Sequence, residues 1–218
     1  MNKSDLAEIF GIMLGDGNLY IKGDAYQIRI SGHKNDDRPY LVDYVKPLFE
    51  RTFGVKVYEK FHNTRNEMFI CVNSRKVAEI LMQNGFKSGR KKTNSASIPK
   101  WIKANKSYAK RCVRGLVDTD GFVYPIRLGY KYPRIGFVSG IPTLREDFSS
   151  IIGSLGFHVS KWTLRKSGWT SEKSVGQCTI SRREDVMKFY KEIKFKNPKY
   201  VKDFNRFKLP SSSPAKRK

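Results

Sequence analysis

The segment Phe10–Tyr20, FGIMLGDGNLY, returns later in the chain as Val113–Tyr124, VRGLVDTDGFVY. Each copy carries a glycine inside an apolar run, and each contains an aspartate followed by glycine; the two aspartates are Asp16 and Asp120. The interval between the copies is far longer than the period of a solenoid repeat. The chain is therefore predicted to consist of two related halves.

The same order of elements is predicted for both halves: a helix, two strands, a helix, two strands and a closing helix. The first helix of each half has Ser4 or Ser107 as its N-cap and ends at Gly17 or Gly121. The strands are predicted at residues 19–22, 26–31, 55–61 and 67–73, and at 122–128, 134–139, 158–165 and 175–181. The later helices are predicted around residues 40–49 and 75–84, and around 144–155 and 183–193.

Alternation along the strands predicts how the sheets are covered. In residues 26–31, the side chains of Ile28 and Ile30 point to one side, and those of the polar residues between them point to the other. Such strands favour an antiparallel sheet with one face covered by helices and one face open. The predicted fold class is α+β, with two pseudo-symmetric αββαββα halves, each built on an antiparallel four-stranded sheet. The halves are assigned to residues 1–100 and 101–208, and residues 209–218 to a disordered basic tail.

The charge of the chain indicates the kind of partner. Its 218 residues include 43 Lys and Arg against 20 Asp and Glu, a formal net charge of +23. Such an excess is typical of proteins that bind nucleic acid, and a hydrophobic fraction of 39% indicates a packed globule rather than a disordered basic chain. A basic structural protein, such as a ribosomal one, stays open as an alternative, although it needs no paired acids at helix ends.

The cysteines are not arranged as metal ligands. Cys71, Cys112 and Cys178 are isolated, without a CxxC pair or a histidine at zinc-ligand spacing, so buried and reduced thiols are expected. No apolar run approaches the roughly 18 residues of a membrane span, and the first residues do not resemble a signal peptide. A soluble intracellular protein without a membrane partner is expected: cytoplasmic and nucleoid-associated in a prokaryote, organellar or nuclear in a eukaryote.

The repeated glycines and aspartates have a common physical explanation. A glycine inside a helix costs roughly 1 kcal/mol relative to alanine, and close approach of two helix backbones at Gly11 and Gly115 compensates for this cost. Asp16 and Asp120 lie at the negative ends of their helix dipoles, which is unfavourable by roughly 0.3–1 kcal/mol. If the helices pack in parallel, the carboxylates converge, and a divalent cation between them removes their repulsion. Oxygen ligands without histidine or cysteine favour Mg²⁺, with Mn²⁺ as a substitute.

The second copy of the repeat resembles the LAGLIDADG motif of homing endonucleases. It matches the motif at Gly115, Leu116, Val117, Asp118, Asp120 and Gly121, and the first copy is a looser match at Gly11, Asp16 and Gly17. The resemblance extends from about Ser4 to Phe207. It implies a monomeric, intron-encoded enzyme with two motifs, of the archaeal or organellar type. Such an enzyme hydrolyses both strands of a long, asymmetric DNA target with divalent metal and leaves 3′ overhangs.

The resemblance also implies the roles of individual residues. The metal ligands of the family correspond to Asp16 and Asp120, with the backbone carbonyls of Gly15 and Thr119 as extra ligands. Asp118 has Leu14 as its counterpart in the first copy, so a structural role is expected for it. The family places a basic residue near the scissile phosphates after the last helix of each half. The residues that correspond to it are Lys91 or Lys92 in the first half and Lys199 in the second.

The open face of each sheet is expected to enter the major groove of double-stranded DNA. Alternation assigns two groups of residues to these faces: Lys22, Gln27, Arg29, Lys56, Tyr58 and Lys60 in the first half, and Arg127, Arg134, Lys161, Thr163 and Arg165 in the second. Residues 63–67 and 166–174 are expected to form hairpin loops.

Other functions stand as alternatives to cleavage by a LAGLIDADG enzyme. Some relatives of the family act on intron RNA as maturases, and others bind DNA without cutting it. A nuclease of the PD-(D/E)xK type would use Asp185 with Glu192 and Lys194, but these residues are predicted on a helix, and such a site does not explain the duplication. A calcium loop at Asp118–Gly121 is excluded, because Phe122 and Gly129 replace two of its oxygen ligands.

Overall fold

A computed structural model describes residues 1–125, 132–166 and 175–205 of the chain. The first half contains α1 (Lys3–Leu14), β1 (Gly17–Lys22), β2 (Ala25–His33), a helix in three parts, β3 (Tyr58–Phe61), β4 (Glu67–Val72) and α4 (Arg75–Gln83). The three-part helix runs from α2 (Arg38–Tyr40) through a π-helical turn (Leu41–Val45) into α3 (Lys46–Phe53). Pro47 lies just after the π-helical turn and has no backbone donor to continue regular bonding.

The second half repeats this order after a short connecting helix. The connecting helix is α5 (Lys100–Lys103), and the repeat consists of α6 (Lys106–Asp120), β5 (Gly121–Pro125), β6 (Pro133–Ser139), α7 (Pro142–Ser154), β7 (Thr163–Arg165), β8 (Val175–Ile180) and α8 (Arg183–Glu192). A further helix, α9 (Pro198–Asn205), follows. The predicted order of helices and strands is confirmed. Arg127, the predicted strand end at 126–128, most of the 166–174 loop and the basic tail lie outside the described residues.

Each half contains a four-stranded antiparallel sheet, with the strand orders β1-β2-β4-β3 and β5-β6-β8-β7. Gly17 pairs with Ile30 in the first sheet, and Gly121 pairs with Phe137 in the second. Both first hairpins therefore begin directly after the repeated aspartate and in the same register. The predicted α+β class and its pseudo-symmetry are confirmed at the level of individual residue pairs.

One face of each sheet is buried in the core. Its side chains include Leu19, Ile28, Ile30 and Ile70 in the first sheet, and Ile135, Phe137, Cys178 and Ile180 in the second. The opposite faces carry the alternate, more exposed residues. The three cysteines are free and buried, as expected. Within the described ranges, no helix is both long enough and apolar enough to cross a bilayer.

The N-caps of α1 and α6 differ from the prediction. The side chain of Asn2 accepts a hydrogen bond from the Ser4 backbone, and Asn105 accepts two from Ser107 and Tyr108. The predicted caps, Ser4 and Ser107, are therefore wrong by two residues. The serines lie inside the first turn, where the amide oxygen of the preceding asparagine reaches the free N–H groups.

Three element boundaries also differ from the prediction. Helix α1 ends at Leu14 rather than at Gly17, whereas α6 continues to Asp120. Strands β3 and β7 are shorter than predicted, so Lys56 and Lys161 precede them in sequence. The backbone donors of Val57 and His158 bind the side chains of Glu50 and Asp185 instead of a neighbouring strand.

Candidate active site

Helices α1 and α6 touch through their backbones. A Cβ atom added at Gly11 would lie 2.1 Å from the carbonyl oxygen of Cys112, and one added at Gly115 would lie 2.5 Å from that of Glu8. No real side chain fits at such distances. The two glycines thus permit a contact that compensates for their cost in helix propensity.

This helix contact brings the two repeated aspartates together. A Cβ atom at Gly15 would lie 2.0 Å from the Thr119 hydroxyl and 3.4 Å from a carboxylate oxygen of Asp120. Asp16 is the next residue after Gly15, so it lies beside the end of α6. Burial raises the pKa of both aspartates, and the charge of Asp120 raises the pKa of Asp16 further. The pair is therefore a site where negative charge is unfavourable without a cation.

Lys91 supplies positive charge at this site. Its ammonium donates hydrogen bonds to the carbonyls of Met13, at 3.3 Å, Leu14, at 3.0 Å, and Gly15. It lies at the negative end of the α1 dipole. Burial lowers the pKa of Lys91, and the two aspartates oppose this effect. Lys92 is exposed, and no described residue forms a hydrogen bond or ion pair with it, so the fold brings Lys91 and not Lys92 to the aspartates.

Lys199 is held near the site by Asp37, an acid that the sequence analysis did not predict. Its ammonium lies 2.6 Å from a carboxylate oxygen of Asp37, which also accepts a hydrogen bond from the His33 backbone at 2.9 Å. Burial acts to raise the pKa of Asp37, but these hydrogen bonds bring it below the ordinary value. The charge of Asp37 in turn raises the pKa of Asp16. The sequence carries no signal for this role, because Asp37 lies in an ordinary polar turn.

Asp118 organises the segment that leads to Lys199. It is buried, its carboxylate accepts a hydrogen bond from the Lys196 backbone at 2.9 Å, and its carbonyl accepts one from the Asn197 side chain at 3.0 Å. Burial raises the pKa of Asp118 to about 8. These contacts are those of a structural residue, in line with its absence from the first copy of the motif.

A second set of missed residues joins the two helices. The fully buried carboxylate of Glu8 accepts hydrogen bonds from Arg114 Nε at 2.8 Å and Nη2 at 2.6 Å, and from the Tyr44 hydroxyl at 2.7 Å. Arg111 lies 3.0 Å from the same carboxylate. The equivalent residue of α6 is Cys112, so the network is asymmetric and specifies pairing of α1 with α6.

The donor set at the helix ends fits a divalent cation. Among the described residues, no three His, Cys, Asp or Glu side chains form a metal site. The available ligands are thus the carboxylates of Asp16 and Asp120 and backbone carbonyls such as those of Gly15 and Thr119. Hard oxygen ligands of this kind suit Mg²⁺ or Mn²⁺. A recess of about 450 Å³ opens beside Asp16, with Asp37 and Thr119 in its lining.

The open faces of the sheets adjoin this site. In the first sheet, the alternates that point away from the core include Tyr20, Lys22, Gln27, Arg29, Tyr58 and Lys60; in the second, they include Arg134, Thr163 and Arg165. Lys56 and Lys161 are exposed just before the short strands. The Lys56 ammonium lies 5.4 Å from the Tyr58 ring. Arg127 lies outside the described residues.

Comparison with solved structures identifies the architecture. The chain is similar to a mesophilic variant of the homing endonuclease I-DmoI, with a TM-score of 0.63 and 19% identity over 88% of this chain and 96% of that one. Structures of I-DmoI include complexes with DNA and Mn, Mg or Ca. The chain is also similar to a mutant of I-SmaMI, with a TM-score of 0.56 and 12% identity over 95% of this chain and 88% of that one. A third likeness is to full-length DUF199/WhiA from Thermatoga maritima, with a TM-score of 0.58, 12% identity, and coverage of 95% and 61%.

No protein-family model and no curated protein sequence matches the chain. At identities this low, the structural likenesses establish the fold rather than the activity. They agree with the resemblance carried by the two motifs, because I-DmoI is a homing endonuclease. The chain has the pseudo-symmetric LAGLIDADG fold of I-DmoI, with both copies of the motif in one chain.

Proposed function

We propose that the chain is a site-specific homing endonuclease that hydrolyses both strands of a long, asymmetric DNA target with Mg²⁺ or Mn²⁺ and leaves 3′ overhangs. The observation that carries this proposal is the meeting of Asp16 and Asp120 at the ends of two abutting helices, with Lys91 and Lys199 beside them. A protein that only binds nucleic acid has no use for two buried acids whose charged forms oppose each other. A hydrolase that uses divalent metal can hold the cation between two such carboxylates.

The open sheet faces support double-stranded DNA as the substrate. Strands can enter the wide major groove of B-form DNA and present alternate side chains to the bases, whereas the major groove of A-form RNA is too deep and narrow for side chains to read. The net charge of +23 suits many phosphate contacts and predicts strongly salt-dependent binding. One copy of the chain already carries both aspartates, so a monomer is sufficient for the reaction.

The chain's own residues have distinct roles in this proposal. Asp16 and Asp120, with the carbonyls of Gly15 and Thr119, would hold the divalent cation. When bound, the metal activates water for attack on the phosphodiester and neutralises charge on the leaving 3′ oxygen. The ammonium groups of Lys91 and Lys199 stabilise the negative charge that develops on the phosphate oxygens. Asp37 and Asp118 keep Lys199 and its segment in position.

Cleavage of the chain's own insertion site is the direct test. A plasmid that carries the uninterrupted insertion sequence is incubated with the purified protein and Mg²⁺. The wild-type protein is expected to linearise it, whereas Asp16→Asn and Asp120→Asn are expected to bind the DNA without cutting both strands. The matched control is Asp24→Asn in the exposed β1–β2 turn, which should cut normally. Full double-strand cleavage by the Asp16→Asn/Asp120→Asn double variant would overturn the proposal.

Intron RNA is the partner of the competing function, a maturase on the same fold. The same preparation is therefore offered its own intron transcript in a splicing assay. Splicing that depends on the protein, without cleavage of the DNA, would favour a maturase. Sequence-specific DNA binding with neither activity would favour a non-cleaving regulator.

A further inference from the structure

The two halves carry different side chains at equivalent positions of their first hairpins. These positions lie two residues beyond Asp16 and Asp120. Asn18 pairs with Arg29 in the first hairpin, and Phe122 pairs with Gly136 at the equivalent place in the second. Both pairs lie on the open faces, since their neighbours Leu19, Ile28, Ile30, Val123, Ile135 and Phe137 are buried on the other side. The two hairpins therefore present different chemistry at matching distances from Asp16 and Asp120.

Arg29 is oriented by an aromatic ring rather than by an acid. Its guanidinium carbon lies 3.7 Å from the centre of the Phe69 ring, on the neighbouring strand β4. Phe69 pairs with Ser31, so it lies diagonally across from Arg29 on the same face. No residue in the described parts of the chain accepts a hydrogen bond from the Arg29 side chain or forms an ion pair with it. The cation–π contact thus holds the guanidinium against the ring, and its N–H donors are left available.

The surroundings of Arg29 are shaped for a base edge. An open recess of about 430 Å³ is lined by Asn18, Tyr20, Gln27, Arg29 and Ser31. The Ser31 backbone donates to the carbonyl of Asp16 at 3.3 Å, so Arg29 lies only two residues outward from the catalytic end of the strand. A planar fork of two N–H donors matches the O6 and N7 acceptors of guanine in the major groove.

The equivalent position in the second half cannot make this contact. A Cβ atom at Gly136 would lie 1.8 Å from the Phe122 ring, so that ring covers the place where a side chain would begin. At this residue pair the open face carries an aromatic ring and no side chain with a charged donor, and Arg134 on the same face lies two residue pairs farther from Asp120. A ring of this kind suits contact with the methyl group of thymine rather than with hydrogen-bonding base atoms.

We propose that Arg29, held on Phe69, reads a guanine in the half-site under the first sheet, and that the matching base pair of the other half-site is not read as guanine. This inference rests on the proposed function, since it names bases in the target of the same site. The two half-sites of the target are therefore expected to differ at two symmetry-related base pairs close to the cut. Residues nearer the hairpin turn, such as Gln27, would contact bases that lie farther from the cut.

Selection from a randomised duplex library tests the proposal. The full chain with both Asp16→Asn and Asp120→Asn is used so that neither strand of the bound DNA is cut. It is expected to select guanine at one position of the half-site under the first sheet and not at the symmetric position of the other half-site. Arg29→Lys keeps the charge but loses the fork, and it is expected to weaken that single preference about tenfold or more. Phe69→Leu is expected to weaken the same preference while Arg29 is still present.

Lys60→Met is the matched control, because Lys60 lies on the same face at the outer strand β3. A solvated lysine that contacts phosphate should weaken binding to all sequences equally and reduce its salt dependence. Unchanged guanine preference in Arg29→Lys, or guanine at both symmetric positions, would overturn this inference while the proposed function stands. If no duplex sequence is selected at all, the proposed function fails together with it.

Discussion

The ammonium of Lys91 lies 3.0 Å from the carbonyl oxygen of Leu14, at the end of the helix that carries Asp16. It also donates to the carbonyl of Gly15, one of the oxygens assigned here to the metal. The Lys91 ammonium and a divalent cation would therefore compete for this carbonyl oxygen. This contact links Lys91 to metal loading as well as to phosphate stabilisation.

Replacement of Lys91 by methionine should increase the metal affinity of the DNA-free protein. Without the ammonium, a divalent cation has no competitor for the Gly15 carbonyl and meets no positive charge beside the aspartates. We expect the Kd for Mn²⁺, measured by calorimetry without DNA, to fall about tenfold, which corresponds to about 1.4 kcal/mol. The exposed neighbour gives a matched control, Lys92→Met, which should bind Mn²⁺ as the wild type does. Equal affinities in all three proteins would show that Lys91 does not compete with metal.

Asp37→Asn should impair the contribution of Lys199 to cleavage. The substitution keeps the shape of the side chain but removes the charge that holds the ammonium at 2.6 Å. Cleavage of each DNA strand requires stabilisation of the negative charge that develops on its own phosphate. Loss of one lysine should therefore slow the cleavage of one DNA strand more than that of the other. Nicked circular plasmid is expected to accumulate before the linear product. The control is Asp36→Asn, whose exposed carboxylate pairs with His33; if both variants cut alike, Asp37 does not position Lys199.

The raised pKa values of Asp16 and Asp120 predict a pH-dependent response to Mg²⁺. A carboxyl group with a raised pKa binds its proton more tightly in the folded than in the unfolded protein, so its contribution to stability falls as the pH rises above the ordinary value of 3.8. Mg²⁺ should bind the ionised forms and reverse this loss. The increase in Tm on addition of Mg²⁺ should therefore grow between about pH 5 and about pH 8.

Comparison with and without Mg²⁺ at each pH removes the titration of Asp118, whose carboxylate accepts a hydrogen bond from the Lys196 backbone and whose pKa is raised to about 8. The Asp16→Asn/Asp120→Asn double variant should show no pH-dependent response to Mg²⁺. A response in the wild type that is constant with pH, or larger in acid, would contradict the assigned ligands.

Periodicity and duplication were sufficient to predict the architecture from the sequence. Helical spacing, strand alternation and the position of glycines are local properties, and two copies of the same pattern reinforced each other. The aspartates and Gly11 could be predicted for the same reason, since Asp16 and Asp120 recur in matching surroundings. The confirmed fold thus depends on information that lies within short segments of the chain.

The choice between Lys91 and Lys92, which the sequence left open, and the missed residues all depend on contacts between distant segments. Lys91 and Lys92 are adjacent and chemically identical, and only the path of the chain after α4 decides which one turns inward. Asp37 meets Lys199 across the two halves, and Glu8 meets Arg114 in the same way. Neither pair repeats within the duplication, so no internal comparison could reveal them.

Removal of one partner of the Glu8–Arg114 pair should strongly destabilise the protein. The pair is buried and bidentate, so Glu8→Gln leaves the Arg114 charge without its counter-ion in the helix contact. We expect the free energy of unfolding, measured with urea, to fall by about 3–5 kcal/mol. The exposed pair Arg75–Glu79 provides the comparison, and Glu79→Gln should leave the free energy of unfolding close to that of the wild type. Similar losses for the two variants would show that the buried pair adds nothing beyond a surface ion pair.

Alanine substitutions at two helical glycines should have opposite effects on stability. Gly11→Ala places a Cβ atom 2.1 Å from the Cys112 carbonyl oxygen, so α1 and α6 must separate to accept it. Gly153→Ala lies in α7 with no atom within 4 Å of the added Cβ, and it should stabilise the protein by about 0.4–1 kcal/mol through helix propensity and a less flexible unfolded chain.

Separation of α1 and α6 in Gly11→Ala also moves Asp16 away from Asp120. Gly11→Ala is therefore expected to lower both the Tm and the Mg²⁺-dependent increase in Tm, whereas Gly153→Ala raises the Tm and keeps the response to Mg²⁺. A Gly11→Ala variant as stable as Gly153→Ala, with the full response to Mg²⁺, would show that close backbone contact of the two helices is not required to bring the aspartates together.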